Sequence, residues 1–192
     1  MRRRDTTDDA EFGAALAKAR EGDEAAFGTV YRAVNPRLVG YLYGLVGHEA
    51  DDIASETWHD IVRGLDDFRG DGTAFRGWAA TIARHRALDH LRRVKVRPRT
   101  TELEDGTTEP PAERDSEGLA LENLSTARAL SLIAELPRDQ AEAVLLRVML
   151  GLNAPMAAKV LGKKPGAVRT AAHRGLKRLA ERLGRADGAE EK

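Results

Sequence analysis

Basic side chains are concentrated in one stretch towards the carboxyl end of the chain. Between Lys159 and Arg185 the sequence has lysine or arginine at nine positions and a single acid, Glu181, so the segment carries about eight net positive charges. The whole chain of 192 residues has a formal net charge of zero. Segregated positive charge suits a polyanion such as nucleic acid, whereas a merely solvated helix face is the alternative interpretation.

The elements that carry these charges have the spacing of a helix-turn-helix. Asn153 before Pro155 predicts the start of a short helix that ends at Gly162, and Pro165 predicts a longer helix towards Leu183. The second helix of such a motif enters the major groove of DNA. The apolar positions expected to hold the two helices together are Met156, Ala157, Val160, Leu161, Val168, Leu176 and Leu179. The side chains predicted to contact phosphates and base edges are Lys163, Lys164, Arg169, Thr170, His173, Arg174 and Lys177.

A second arginine-rich helix is predicted from Ala74 to about Val94. Its expected core contacts are Phe75, Trp78, Ile82, Leu88 and Leu91, and its expected exposed arginines are Arg84, Arg86, Arg92 and Arg93. Such a helix, with an aromatic residue near its start, can hold single-stranded DNA by phosphate pairing and base stacking. Trp78 is therefore either a platform for an unstacked base or a packed core residue, and its spacing with Ile82 leaves both open.

Helical periodicity also accounts for the rest of the first half. Apolar residues recur from Phe12 to Leu45, with interruptions at Gly22-Asp23 and Asn35-Pro36, so three short helices are expected there. Another helix is expected from about Glu49 to Gly64, and residues 66–73 are expected to form a loop.

An acidic segment separates the two halves of the chain. It contains Glu102, Glu104, Asp105, Glu109, Glu113, Asp115 and Glu117 and cannot bury much apolar surface. Beyond it, helices around 119–136 and 138–150 precede the helix-turn-helix. The sequence therefore predicts an all-α fold of two small helical domains. The predicted division is 1–9 disordered, 10–96 first domain, 97–118 flexible acidic linker, 119–184 second domain and 185–192 disordered.

Composition argues against several classes of enzyme and membrane protein. The chain has no cysteine, which excludes disulfides, thiolate catalysis and cysteine-ligated zinc. No apolar run approaches the roughly 20 residues that cross a bilayer, and no signal peptide follows the opening arginines, so a cytoplasmic protein is expected. A metal site would need His85, Asp89 and His90, but the two histidines lack the i,i+4 spacing of a zinc-binding helix. Neither a catalytic site nor a cofactor is expected.

Three motifs in the same order resemble those of small bacterial RNA polymerase sigma factors, the extracytoplasmic-function (ECF) group of the sigma-70 family. The segment 82–93, preceded by Trp78, resembles the helix that reads and melts the minus-ten promoter element. The segment 50–58 resembles the preceding helix, which docks on the polymerase clamp. The segment 136–147, with Gly151-Leu152 and the turn ending at Gly162, resembles the domain that reads the minus-thirty-five element.

The resemblance covers residues 23–183 apart from the linker, with some departures. The family often has asparagine where His85 stands and glutamine where Ser55 stands. Many members have a basic residue where Ala171 stands and a polar N-cap where Lys164 stands, so the resemblance does not imply the base preferences. A high content of alanine, arginine and glycine is typical of a GC-rich genome, and an actinobacterial source is predicted.

What the resemblance implies is an alternative sigma factor with no catalytic site of its own. Its partners would be core RNA polymerase, through the clamp helices of the largest subunit and the flap region, promoter DNA and an anti-sigma factor, with no small-molecule substrate. The implied polymerase contacts are Asp51, Asp52, Ser55, Glu56 and Trp58. The implied minus-ten and melting residues are Arg76, Trp78, Arg84, His85, Arg86, Arg92 and Arg93. The seven side chains predicted to contact duplex DNA would read the minus-thirty-five element.

An autonomous DNA-binding regulator is the competing interpretation. Such a protein would use the same terminal helix but would not need polymerase. Its first half should offer a dimer surface or a ligand pocket, and no feature of the sequence demands either. For the acids Asp51, Asp52 and Glu56, a solvated helix face remains the alternative to polymerase contact.

Overall fold

The computed structural model describes the backbone of residues 2–96 and 128–190, and every regular element in these two ranges is helical. The first range contains α1 Arg2–Arg20, α2 Glu24–Val46, a 3₁₀ turn Gly47–Glu49, α3 Ala50–Gly64 and α4 Gly72–Val96. The second contains α5 over 128–134, α6 Arg138–Val148, α7 Ala154–Leu161 and α8 Pro165–Glu190. The all-α prediction is confirmed over these ranges.

Some of the predicted domain boundaries and disordered ends lie outside the described residues or differ from the structure. The linker 97–118 and the first part of the helix predicted at 119–136 lie outside the described residues. Helices α1 and α8 extend into 1–9 and 185–192, for which the sequence predicts disorder.

Helix α2 continues through Pro36, so the predicted break at Asn35-Pro36 was wrong. A proline inside a helix costs about 3 kcal/mol because it removes a hydrogen bond and crowds the preceding turn. Burial offsets this cost, since one apolar stripe runs unbroken past the proline on both sides. The buried stripe consists of Val30, Val34, Leu38, Tyr41 and Leu42.

The turn between α7 and α8 has the local chemistry that the sequence predicts. The Asn153 side chain accepts a hydrogen bond from the Met156 backbone N–H at 2.9 Å and so caps α7. Gly162 ends α7 with φ at 63°, a left-handed conformation that favours glycine. Pro165 is the first residue of α8. The predicted helix-turn-helix is therefore confirmed as local structure.

Alanines form much of the buried face of α4. Ala79, Ala83 and Ala87 are fully buried at successive i,i+4 positions beneath Phe75. Small side chains let neighbouring helices approach closely, and α4 contacts α2, α3 and α7. Because α7 belongs to the second range, the same core runs through both halves of the chain.

Candidate nucleic-acid interface

Helix α8 and the turn just before it, which contains Lys163 and Lys164, present the predicted duplex-contacting side chains on an open surface. All seven, from Lys163 to Lys177, are exposed. The helix packs through Val168, Ala172 and Gly175, which are buried, and Leu179, which is partly buried. The spacing of these four places one face of α8 against α6 and α7 and leaves the opposite face open.

Leu176 does not belong to the packed face of α8. The sequence assigned it to the contact between the two helices, but it is 48% exposed, so that assignment was wrong. One helical residue corresponds to about 100° of rotation, and it is Gly175 that faces α6.

The cations on this face of α8 and in the turn before it are largely uncompensated. Within the ranges that the structure describes, Lys163, Lys164, Arg169 and Arg174 form no ion pair. The Lys177 Nζ atom lies 4.0 Å from a Glu181 carboxylate oxygen. Unpaired guanidinium groups on the helix face and unpaired ammonium groups in the turn before it are available to phosphates and base edges, which is the chemistry of a recognition helix.

Gly175 sets how closely α8 approaches α6. A Cβ atom there would lie 2.7 Å from Val144 Cγ2 and 3.4 Å from the Gln140 carbonyl oxygen. Val144 is itself 1% exposed and β-branched, so it has little freedom to move aside. Gly175 therefore permits close packing against a neighbouring backbone.

We expect Gly175→Ala to destabilise the protein, although alanine favours a helix. The propensity gain is about 1 kcal/mol, whereas overpacking a buried site costs typically about 1 to 3 kcal/mol, so a net loss of roughly 1 kcal/mol is expected. Gly166→Ala in the same helix is the matched control, since nothing lies within 4 Å of its Cβ position. Thermal unfolding should therefore shift down for Gly175→Ala and up for Gly166→Ala. A rise in melting temperature for both variants would contradict the close packing at Gly175.

The arginines of α4 divide into paired and open groups. Arg84 and Arg86 were predicted to be exposed, but their side chains are only 20% and 32% exposed because each forms ion pairs with other helices. Arg76 pairs with Asp9 at 2.8 Å and lies over the Phe12 ring. The members of the predicted minus-ten set on open surface are His85, Arg92 and Arg93, and Arg92 also contacts Asp89 at 3.0 Å.

Trp78 is a packed aromatic residue in this arrangement. Its ring stacks on Phe68 with centroids 5.0 Å apart and an interplanar angle of 26°. It also meets the edge of Phe75 at 5.8 Å, and Gly64 provides room for the ring on α3. The face of the indole that Phe68 covers is not available to a base, although the side chain as a whole is only partly buried.

The predicted polymerase contacts on α3 also divide by exposure. Asp51, Asp52, Ser55 and Glu56 are exposed. Trp58 is 6% exposed, so its assignment as a direct surface contact does not hold in this structure. Its indole N–H donates to the Asn35 side-chain oxygen at 2.8 Å, and its ring packs against Phe27 and Tyr31. Trp58 therefore holds α3 against α2 and lies beneath the four exposed residues, which are called here the acidic face.

An ion-pair network joins α3 to α4 beside these surfaces. Arg86 Nε donates to the Asp60 carboxylate at 2.7 Å, Arg86 contacts Glu56 at 3.3 Å, and Arg63 also pairs with Asp60. Burial acts to raise the pKa of Asp60, but the hydrogen bonds from Arg86 and Arg63 outweigh it and hold the pKa below its usual value of 3.8. The network fixes the position of Arg86 relative to the acidic face.

The Asp60 network should make stability depend on pH in a defined direction. A carboxylate whose pKa is lower in the folded than in the unfolded chain stabilises the fold above the unfolded pKa, and this contribution is lost as pH falls through the folded pKa. Asp60→Asn should therefore cost about 1 kcal/mol at pH 7, the upper range for partly exposed pairs. Denaturant unfolding should show a higher free energy of unfolding for the wild type than for Asp60→Asn at pH 7, and this difference should disappear below pH 4. The same difference in free energy of unfolding at pH 7 and below pH 4 would contradict the ion pairing.

The described residues offer no metal site. No group of three or more histidine, aspartate or glutamate side chains within 9–95 and 128–183 could hold a metal ion. Among the helices that the structure describes, none is long and apolar enough to cross a membrane.

Sequence reasoning missed the side chains that join the two halves. Glu142 is 4% exposed and pairs with both Arg84 and Arg138. Its one readable signal is an acid placed within the apolar run from Ala141 to Leu146. A lone acid in such a run indicates a buried partner but does not identify it.

Comparisons with known proteins match both halves of the chain to one family. Residues 30–97 match the family model for Sigma-70 region 2, and residues 126–179 match that for Sigma-70, region 4. The ECF RNA polymerase sigma factor BldN of Streptomyces coelicolor is 33% identical over 181 residues, covering 92% of this chain and 67% of BldN. SigD of Mycobacterium tuberculosis, also an ECF RNA polymerase sigma factor, is 33% identical over 176 residues, covering 88% and 82%.

Solved structures share the fold. One is CnrH in complex with the cytosolic domain of CnrY, with a TM-score of 0.61 and 23% identity, covering 91% of this chain and 97% of that one. Another is the sigma factor RpoE of Bartonella quintana in complex with the anti-sigma factor NepR, with a TM-score of 0.64 and 23% identity, covering 82% and 96%. At this identity the likeness establishes the fold alone.

Proposed function

The chain belongs to the sigma-70 family of RNA polymerase sigma factors, in its ECF group, and from that premise we propose how its surfaces divide the work of promoter recognition. A sigma factor of this family directs initiation by recognising minus-ten and minus-thirty-five elements. The first domain, 10–96, binds core polymerase and the minus-ten strand. The second, 119–184, reads the minus-thirty-five duplex, and the linker 97–118 joins them.

The observation that carries the proposal is the open face of α8. Five of the seven predicted contacts are exposed there, and the other two, Lys163 and Lys164, are exposed in the turn just before the helix. Four of the cations have no ion pair within the described residues. Arg169 and Arg174 have the length and geometry to fork onto guanine in the major groove. Lys163 and Lys164 lie in the turn just before α8, next to the free backbone amides and the positive end of the helix dipole, which also favour phosphate.

The minus-ten strand is assigned to α4. His85, Arg92 and Arg93 are open to solvent along this helix and can pair with the phosphates of an unstacked strand. Arg76, Arg84 and Arg86 complete the set, but each is engaged by a carboxylate in this arrangement. Trp78 supports the start of α4 through its aromatic packing.

Core polymerase is assigned to the acidic face of α3. Asp51, Asp52, Ser55 and Glu56 share an exposed surface that suits a basic partner such as the clamp helices. The flap region would take the second domain. The chain works as a specificity subunit in the cytoplasm, without a catalytic site of its own.

A protein inhibitor is the further partner that we propose. RpoE of Bartonella quintana was solved with the anti-sigma factor NepR, and CnrH with the cytosolic domain of CnrY. By analogy, an anti-sigma factor would mask the polymerase-binding surfaces of this chain.

Reconstitution with core polymerase tests the proposal. The chain should co-elute with core polymerase in size-exclusion chromatography, and the complex should produce run-off transcripts from fragments on which core polymerase alone is inactive. A chain that neither co-elutes nor produces transcripts, yet shifts duplex DNA on its own, would favour the autonomous regulator.

A further inference from the structure

Two methionines lie where the two halves of the chain touch. The halves meet where α2 contacts α6 and where α4 contacts α7. A Cβ atom on Gly40 of α2 would lie 2.5 Å from Met149 Cε, and one on Gly77 of α4 would lie 2.5 Å from Met156 Cε. Both distances are closer than real Cβ atoms come, so each methionine methyl fills the space that a glycine leaves. Each of the two contacts therefore contains a methionine fitted against a glycine.

Both methionine side chains are only partly buried. Met149 and Met156 pack against the apolar core, yet each keeps part of its surface open to solvent. A fully buried thioether would be shielded from solutes, and a fully exposed one would have no packing to lose. A small oxidant in solution can therefore reach these side chains, and a chemical change at their sulfur atoms acts on the packing between the halves.

The chain offers no thiol that would react with an oxidant first. It contains no cysteine and three methionines, of which Met149 and Met156 are the two with described side chains. Where a protein has reactive thiolates, peroxides oxidise them readily. In their absence, the methionine thioethers are the sulfur atoms of this protein that can be oxidised reversibly.

Oxidation by hydrogen peroxide converts a thioether to a sulfoxide. The sulfur atom attacks one peroxide oxygen, so that an S–O bond forms and the O–O bond breaks. Sulfur loses two electrons, and the second oxygen leaves as water after taking up the proton of the transferred hydroxyl. The side chain thereby gains a polar oxygen on the same sulfur atom that carries the Cε methyl.

The glycine sites cannot satisfy this new oxygen. A sulfoxide oxygen accepts hydrogen bonds and needs a donor when it is buried. Gly40 and Gly77 offer only backbone N–H groups, which lie inside α2 and α4 and bond to carbonyls one turn earlier. Methionine has several rotatable bonds, so the oxidised group can leave the contact by rotating towards solvent. The methyl then no longer fills the space beside the glycine, and the contact is loosened.

We propose that Met149 and Met156 are oxidation sites through which hydrogen peroxide reversibly loosens the contact between the two halves of the chain. Met149 acts on the contact of α2 with α6, and Met156 acts on that of α4 with α7. Methionine sulfoxide reductases restore the thioether, so the change can be undone. The inference does not rest on the proposed function, because it concerns only the side chains and packing of the free chain.

Hydrogen peroxide treatment of the purified chain, followed by peptide mass spectrometry, identifies the oxidised residues. Met149 and Met156 should each gain one oxygen atom in the folded chain. Small-angle X-ray scattering and thermal unfolding of the same sample then measure the effect on packing. The radius of gyration should rise, and the melting temperature should fall by about 5 °C, since a polar group in a packed contact costs stability. Reduction by methionine sulfoxide reductases A and B should restore both values.

The double variant Met149→Leu, Met156→Leu is the matched control. Leucine has a similar volume and no sulfur to oxidise, while the tryptophan, tyrosine and histidine residues of the chain remain. Peroxide should leave the radius of gyration and the melting temperature of this variant unchanged. Reversal by the reductases is measured on the wild type and needs no substitution, so it tests the inference even if the variant folds poorly.

Three results would overturn the inference. The first is a folded chain in which neither methionine gains oxygen. The second is oxidation of both methionines with no change in the radius of gyration or the melting temperature. The third is an equal response of the wild type and the leucine variant to peroxide, because residues other than methionine would then cause it.

Discussion

Replacing Arg169 and Arg174 together by alanine is expected to reduce initiation from a cognate promoter by about two orders of magnitude. Loss of one base-edge contact costs about 1 to 3 kcal/mol, and about 1.4 kcal/mol corresponds to a tenfold change. The fold-losses from the two contacts multiply, which gives about a hundredfold. Both side chains are exposed and form no ion pair within the described ranges, so the fold should not change. Run-off transcript yield, measured against the wild type at limiting chain concentration, gives the effect.

The specificity of this loss is checked on a second template and with a second variant. On a promoter with a scrambled minus-thirty-five element, the wild type and the double variant should give similar, low yields. Arg128→Ala with Arg147→Ala removes two exposed arginines of the same domain outside α8 and should leave yield near the wild-type level. Equal yields from the wild type and the Arg169 and Arg174 double variant on the cognate promoter would refute the role assigned to α8.

Reversing charge at Asp51 and Asp52 should weaken binding to core polymerase by about a hundredfold, since placing like charges across an interface costs several kcal/mol. Both residues are exposed in the first turn of α3 and form no ion pair within the described part of the chain. Loss of favourable helix-dipole interactions should cost only about 0.3 to 1 kcal/mol of stability per residue. Affinity is measured by titrating labelled chain with core polymerase, and folding by thermal unfolding of the same samples.

Glu21→Lys with Glu24→Lys is the matched control for this experiment. It reverses the same number of exposed acids, one of them in the first turn of α2, away from the predicted contact face. The control should bind core polymerase as the wild type does, with a similar small loss of stability. Equal affinities for the wild type and the Asp51→Lys, Asp52→Lys variant would show that these acids are solvated and do not contact core polymerase.

Local chemistry made the helix-turn-helix predictable, whereas packing decided α2. The caps at Asn153 and Gly162 depend on the conformation and hydrogen bonds of a few neighbouring residues, so the sequence alone indicates them. Pro36 also carries a strong local signal, but an apolar stripe on both sides of it keeps the helix continuous. The sequence shows the cost of a proline inside a helix, but the burial that outweighs this cost depends on packing against the other helices.

Exposure was predictable on α8 and only partly so on α4. On α8 the helical period predicts the open face correctly except at Leu176. Leu176 is exposed, and the neighbouring Gly175 packs against α6 instead. On α4 the period places Arg84 and Arg86 on the polar surface but does not identify their partners. Those partners, Glu142 and Asp60, come from other helices, one of them 58 residues away. Periodicity describes a face, and only the tertiary structure shows what covers it.

Transcription from a library of promoter fragments, with core polymerase in the presence and absence of the chain and with start sites sequenced, tests the central claim most directly. The claim predicts that the chain adds a set of start sites that share two upstream motifs, centred near minus-ten and minus-thirty-five. Scrambling either motif should remove the added starts. Start sites that are unchanged by the chain, together with duplex selection by the chain alone, would contradict the assignment of these surfaces to a sigma factor.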